Sequence, residues 1–280
     1  MNVLLIGATG YIGRRLLIKL LDEKDVRLRL FVRDARRLDG HAGQPVEVEE
    51  GDVFDAEDIA RAVKGIDVAY YPIRFFSVGR EFEESHTNFS KMFRDVCIEA
   101  GVKKIVYLGF LGSRNREDSL FRNMVETGEI LTARPEKIQT IWLRTGFVIG
   151  SGSALFEVLR NLVQKVPLLL IPQWMNTKTK PIGISNLLEY LVQSKSLEAN
   201  GNLVVDIGAE EMSFMDMLKE TVRFTGLRRV FVPFPFTAHR LFSFLLMLVT
   251  PFSYHLSYLL IQALKSGEVQ PDNAGNDRAH

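Results

Sequence analysis

Apolar and polar positions follow two rhythms over the first half of the chain. Short runs that are continuously apolar or alternate with period 2 occur near Val3–Ile6, Arg27–Val32, Val46–Glu49, Val68–Tyr71, Lys104–Leu108 and Thr140–Arg144. Between them lie stretches with helical spacing that begin near Tyr11, Ala56, Phe82 and Ser119. Strands that alternate with helices in this way predict a parallel sheet whose crossover helices cover its faces. In the first helix Leu16, Leu17, Leu20 and Leu21 recur at helical spacing, so that helix has an apolar face to bury.

The second half is less regular. From Leu241 to Leu264 there is no Lys, Arg, Asp or Glu, a length that would nominally permit a membrane span. Pro251, His255, Gln262 and several hydroxyls interrupt it. The stretch therefore predicts two helices broken near Pro251, because proline lacks the N–H and clashes with the preceding turn. Leu241, Phe244, Leu245 and Leu248 share one helical face, as do Leu256, Leu259, Leu260 and Leu264. Whatever part of these faces the protein does not cover is a surface for a membrane, a lipid-like substrate or a second subunit. Residues 266–280 are polar, with Gly, Pro and Asn, and are expected to fray.

These patterns belong to 280 residues, 46% hydrophobic and 25% charged, ample for a core. Lys and Arg number 35 against 34 Asp and Glu, a net charge of +1 that gives no uniformly basic surface and makes nucleic acid a poor partner. One cysteine excludes an internal disulfide framework or a cysteine-cluster zinc site, five scattered histidines offer no metal spacing, and a cytoplasmic setting fits. That cysteine, Cys97, follows an apolar stripe of Phe89, Met92, Phe93 and Val96 and reads as core. The N-terminal MNVLLIGATG enters a strand-like run without the basic segment of a signal peptide.

The most informative segment is GATGYIG, which sets Gly7, Gly10 and Gly13 between the first strand and the first helix. Glycine at these positions allows a tight turn, lets backbone N–H groups approach a pyrophosphate and permits close helix–strand packing. The phosphate then lies on the positive end of the helix. With a strand before, a helix after and a second strand beyond, the segment predicts dinucleotide binding. The tip of the second strand selects the dinucleotide. A carboxylate there would accept hydrogen bonds from a ribose 2′-OH, whereas a guanidinium would pair with a 2′-phosphate. Arg33, supported by Arg14 behind the last glycine, favours NADP, and Asp34 keeps NAD open. Asp52, just past the third strand, can reach an adenine or serve as an ordinary turn aspartate.

Taken together, GATGYIGRRL, FVRDARRL, VEEGDVFDAEDIARAVKGIDVAYY, KKIVYLGFLG, LRTGFVIGSGS and KPIGISNLLEYLV resemble the atypical extended short-chain dehydrogenase/reductase superfamily in its bacterial NmrA-like branch. The chain is also similar to the reductase-like accessory subunit of respiratory complex I. The resemblance covers about residues 1–265 and is most specific in the nucleotide-binding half. It implies an α/β fold, a Rossmann-type doubly wound parallel sheet with a smaller C-terminal substrate lobe. Residues 1–150 would bind the nucleotide with 180–206 returning to them, 151–265 would form most of the lobe, and 266–280 a tail. By the same resemblance Gly7, Thr9, Gly10, Tyr11, Ile12, Arg33, Asp52 and Val53 would line the cofactor. The loops after Tyr71 and Leu108, the latter opening on Gly109, would lie near the nicotinamide.

Catalytic members of the superfamily carry Ser or Thr after the fifth strand and a Tyr-x-x-x-Lys pair on the next helix, the tyrosine acting as acid/base with its pKa lowered by the lysine. Here Gly109, Phe110 and Leu111 follow the strand, Phe121 falls at the tyrosine position and Val125 at the lysine position. Phenylalanine has no proton to give and valine no charge, so no catalytic residue is assigned; Ser113 and Ser119 are candidate shifted replacements or loop and capping residues. His86 and Asn88 open the preceding helix. Trp174, Met175, the Lys180-Pro181-Ile182 stretch, Phe231, Phe234 and Phe236 are candidate walls of an apolar site or simply core. Arg144, at the end of a buried strand, requires a partner and is a candidate pocket residue. Two readings follow: an NADP(H)-binding protein that transfers hydride to or from an apolar small molecule, or a catalytically inactive NADP(H)-binding sensor or scaffold that contacts a protein or the membrane periphery.

Overall fold

In the computed structural model of the chain, residues 1–38, 45–71, 80–111, 119–234 and 239–266 are described. The first half runs β1 (Asn2–Ile6), α1 (Tyr11–Leu21), β2 (Arg27–Val32), β3 (Val46–Glu50), α2 (Ala56–Val63), β4 (Val68–Tyr71), α3 (Arg80–Glu99), β5 (Lys104–Phe110), α4 (Ser119–Leu131) and β6 (Gln139–Thr145). The second runs β7 (Val148–Ile149), α5 (Ala154–Lys165), β8 (Leu168–Pro172), β9 (Lys178–Thr179), β10 (Ile182–Gly183), α6 (Ile184–Ser194), β11 (Leu203–Ile207), β12 (Met212–Ser213), α7 (Phe214–Thr225), β13 (Val230–Phe234), α8 (His239–Val249) and α9 (Tyr254–Ser266). Every expected strand is present, and three of the four expected helix starts coincide; the third helix opens at Arg80 rather than Phe82.

Seven strands form one sheet in the order β11-β6-β5-β4-β1-β2-β3, all parallel. The order runs outward from β1 in both directions, so the strands diverge at the β1/β4 boundary, the switch point where doubly wound sheets open a crevice for ligands. Strand alternation sorts side chains between two cores. Val3, Leu5, Val68, Tyr70, Val106, Leu108, Ile141 and Leu143 pack with α1 and α6 on one face. Leu4, Ile6, Ala69, Tyr71, Ile105, Tyr107 and Trp142 pack with α2, α3 and α4 on the other, with Cys97 fully buried among them as expected. Trp142 owes its place to two glycines, since a Cβ at Gly109 would lie 2.3 Å from its Nε1 and one at Gly128 would lie 2.2 Å from its ring.

After β6 the chain leaves the sheet and comes back to it. Helix α6 packs beside α1, and β11 extends the sheet along β6. Lys104, buried at the start of β5, donates from Nζ to the carbonyls of Ser194, Lys195 and Leu197 and so closes the end of α6. A third core gathers α5, β8, α7, α8 and α9, with Phe110, Met124 and Phe147 joining it to the sheet. Helices α8 and α9 stop on either side of Pro251, as its missing N–H requires. Among the described residues no helix is long and apolar enough to cross a membrane. The expected frayed tail beyond 266 lies outside the described residues, as do Ser113, Phe236 and the side chains of Ser119 and Phe121.

Candidate functional site

The glycine loop joins β1 to α1 at the switch point. Gly7 adopts φ +77°, the left-handed region that favours glycine, and turns the chain so that Gly10 donates its N–H to the Gly7 carbonyl at 3.0 Å. Gly10 then stands at the N-cap of α1 with no side chain to cap it, and the first turn holds no acidic residue. The opening N–H groups of the helix are thus left for an external anion, the environment a pyrophosphate needs. Gly13 sets the spacing: a Cβ there would lie 2.1 Å from the Gly7 carbonyl oxygen, so the helix can sit this close to the loop only because residue 13 has no side chain. Ile12 is buried beside it. Arg14 is exposed and donates from Nε to the Thr9 carbonyl at 2.9 Å, bracing the loop across its width.

Tyr11 points away from the loop toward the turn that opens α5. Its hydroxyl reaches the place where a Gly150 side chain would stand. The Arg15 guanidinium lies 4.0 Å from its ring centroid and also donates to the Ser151 carbonyl at 2.8 Å. Burial raises the phenol's pKa and the guanidinium opposes that rise. The sequence reading missed Arg15; its i, i+4 spacing from Tyr11 was the available signal.

Beside the loop, register pairs Ile6 with Phe31, which brings the tip of β2 alongside Gly7. The two charged residues there have different surroundings. Asp34 accepts the Arg36 backbone N–H at 3.1 Å and both ends of the Arg36 guanidinium, at 2.9 and 3.1 Å, and this pairing lowers its pKa. Arg33 is exposed and forms no ion pair among the described residues. Past β3, Asp52 accepts the Phe54 N–H at 3.0 Å and donates its own N–H to Asp58 at 2.8 Å. One oxygen of Asp52 therefore serves the turn, the plainer of its two expected roles, while Val53 is half-buried against the α2 side of the sheet.

The ends of β4 and β5 carry buried side chains. Neither tyrosine side chain of β4 is exposed toward a crevice: Tyr70 and Tyr71 are both fully buried. Tyr70 donates its hydroxyl to the Leu191 carbonyl at 2.8 Å, and the Tyr71 ring stacks on Phe89 with centroids 5.4 Å apart. Any part Tyr71 takes in cofactor binding falls to its backbone. Gly109, likewise, is held as glycine by Trp142. Arg144 finds its partner in Asp206, its register neighbour on β11, through two contacts of 2.5 and 3.1 Å. The Arg144 side chain is 21% exposed, so the pair is partly screened. Asp206→Ala should cost about 1–2 kcal/mol in urea denaturation. If Asp206→Ala costs as much with Met at position 144 as with Arg, the two do not act as a pair.

Val125, at the position that the superfamily's Tyr-x-x-x-Lys motif would give to lysine, is 6% exposed and packs in the core beneath α4. A polar cluster lies next to it. His86 Nδ1 stands 3.1 Å from the Thr127 hydroxyl, which donates to the Asn123 carbonyl at 2.9 Å, and Ser90 donates to the His86 carbonyl at 2.9 Å. Burial pushes the His86 pKa down to about 4.

Residues 7–140 match the family model described as NAD(P)H-binding. Among curated proteins none matches the chain. Among solved structures, Citrobacter sp. triphenylmethane reductase complexed with NADP(H) shares the fold with a TM-score of 0.77 and 17% identity, over 97% of this chain and 92% of that one. The NADPH-dependent quinone oxidoreductase of Escherichia coli, complexed with NADPH, aligns with a TM-score of 0.75 and 18% identity over 98% and 92%. A nucleoside-diphosphate-sugar epimerase from Staphylococcus aureus aligns with a TM-score of 0.75 and 15% identity over 97% and 92%. Residues 7–140 are thus an NAD(P)H-binding domain by sequence, and the chain has a Rossmann-type fold. Its fold is shared with the reductases and the epimerase to which it is structurally similar.

Proposed function

We propose that the protein binds NADP(H) in preference to NAD(H) and transfers hydride between it and an apolar small molecule. The observation that carries the cofactor choice is the contrast at the tip of β2. The carboxylate that would hold a ribose 2′-OH is taken up by Arg36, while Arg33 beside it is exposed and unpaired among the described residues. Gly7, Thr9, Gly10, Tyr11, Ile12 and Gly13 form the cradle through backbone groups and close packing, with Arg14 bracing it. Asp52 and Val53 flank the adenine side, and the backbone at Tyr71 and Gly109 flanks the nicotinamide side. Residues 1–150 with 180–206 are read as the nucleotide-binding unit and the rest to 265 as the lobe.

The bound dinucleotide supplies hydride, and the chain's own task is to position it and exclude water. The apolar residue at position 125 bears on the substrate class, because without an ammonium there the usual proton donor has no support. The reaction this favours is one whose reduced product is a delocalised anion able to take its proton from water, as in quinones and conjugated enones. An inactive, cofactor-binding sensor or scaffold is the second reading, favoured by the same residue.

The test is titration with NADPH and NADH, followed by a screen of quinones, enones and simple aldehydes for NADPH oxidation. A charge-assisted pair to the 2′-phosphate is worth roughly 1.5–3 kcal/mol, so NADPH should bind about 10- to 100-fold more tightly than NADH. Arg33→Ala should erase most of that ratio; equal affinities in the unaltered protein would refute the cofactor choice. Oxidation with quinones or enones but not aldehydes supports the reductase reading. Tight binding with no oxidation supports the sensor.

A further inference from the structure

The lobe contains a cavity of about 300 Å³ between α5, β8, α7, α8 and α9. All of its lining side chains are Val, Leu, Ile, Met, Phe or Trp, and none comes from strands β1–β6. The site is therefore separate from the nucleotide cradle. A space so lined does not hold ordered water, which needs two or more polar partners. Left unfilled, it would forfeit contacts that a packed core makes. The one polar group among the lining side chains is the Trp174 indole N–H; Trp174 is 5% exposed and its Nε1 meets no acceptor among the described residues. The mouth is apolar as well. Leu168, Leu245 and Leu248 line the cavity and are also exposed, Leu248 by 63%. Along α8 they continue into Leu241 and Phe244, which are also exposed.

We infer that this cavity is a binding site for an extended aliphatic chain, of the acyl or prenyl kind, that enters past Leu168, Leu245 and Leu248. The chemistry is chosen by elimination on the walls: a charged or strongly hydrogen-bonding ligand would lose its hydration and find at most one donor in return. A cavity of this volume is at the small end of ligand sites, which suits a single chain rather than a fused ring system. An apolar mouth lets that chain pass without crossing a ring of polar groups.

The experiment uses the full chain and the uncharged, straight-chain fluorescent polyene methyl cis-parinarate as probe, displaced by straight-chain alcohols of increasing length. Affinity should rise roughly fourfold per added methylene until the cavity is full and then level off. Val249→Phe, which places a ring in the wall of the cavity, should weaken the longer alcohols at least tenfold and move the levelling point to a shorter chain. If that variant does not fold, the thermal midpoint of the unaltered protein gives a second measurement, because stabilisation by the alcohols must level off at the same length. Affinity that grows with chain length without levelling, or a levelling point that Val249→Phe leaves in place, overturns the proposal. In a parallel arm with phosphatidylcholine vesicles, flotation that Leu248→Glu abolishes and Val249→Phe does not, without probe displacement, would make the face a membrane contact and likewise overturn it. Unchanged NADPH affinity in both variants distinguishes failure here from failure of the cofactor assignment.

Discussion

Gly13→Ala should lower NADP(H) affinity roughly a hundredfold or more and cost about 3 kcal/mol of stability. The added methyl carbon would stand 2.1 Å from the Gly7 carbonyl oxygen, 2.8 Å from the Gly7 carbonyl carbon and 3.0 Å from the Ala8 Cα. All three are backbone atoms of a turn already fixed by Gly7 at φ +77°. No rotamer change can relieve the contact, so α1 must move away from β1. That movement carries the first-turn N–H groups away from the position in which they face a pyrophosphate. Gly10→Ala provides the contrast. Its methyl carbon would meet the same oxygen at 3.3 Å, a distance a shift of a few tenths of an ångström accommodates. The fold should survive with little loss while binding falls through crowding of the phosphate. Calorimetric titration and thermal unfolding of both variants check this, and undiminished binding by Gly13→Ala would reduce the loop to an ordinary turn.

Acidification between pH 6.5 and 4 should remove about 3 kcal/mol of stability through His86 alone. Buried between α3 and α4, His86 has its pKa pushed from 6.5 down to about 4. In that window the unfolded chain binds a proton at this residue and the folded protein does not, so the unfolded state gains as pH falls. The loss begins near the unfolded value and is complete below the folded one. Asp67, whose pKa is lowered chiefly by Lys103, and Asp216, whose pKa is lowered chiefly by Ser213, add their losses only as pH falls through the carboxylate range near 3.8 and below. Urea denaturation at a series of pH values separates the two windows. His86→Gln should flatten the upper one and leave the lower intact; an unaltered slope above pH 4.5 would place the origin elsewhere.

The sheet and its cofactor loop were legible because both are written in local sequence. Apolar runs separated by helical periods predict parallel strands with crossover helices, and the spacing of Gly7, Gly10 and Gly13 between a strand and a helix is itself a local signal. The break at Pro251 follows from one missing N–H and is equally local. The absence of a tyrosine–lysine pair needed only the identity of Val125, although its burial in the core came from the fold.

What the sequence could not determine depends on which distant residues meet. Arg144 and Asp206 face one another only because β11 returns to lie in register beside β6, and nothing near either residue announces that pairing. Tyr70 and Tyr71 are adjacent in sequence, and the strand sends one to each core and buries both. The Arg36 guanidinium on the Asp34 carboxylate is likewise a product of the turn after β2, which the identities of the two residues did not announce. The lobe is the extreme case. Its aromatic and aliphatic residues have the same composition whether they close into a solid core or leave a space among them, since hydrophobic attraction is not directional. Whether Val158, Trp174, Phe242 and Leu264 meet or stand apart is a matter of helix placement, and in this protein that placement leaves a cavity among them.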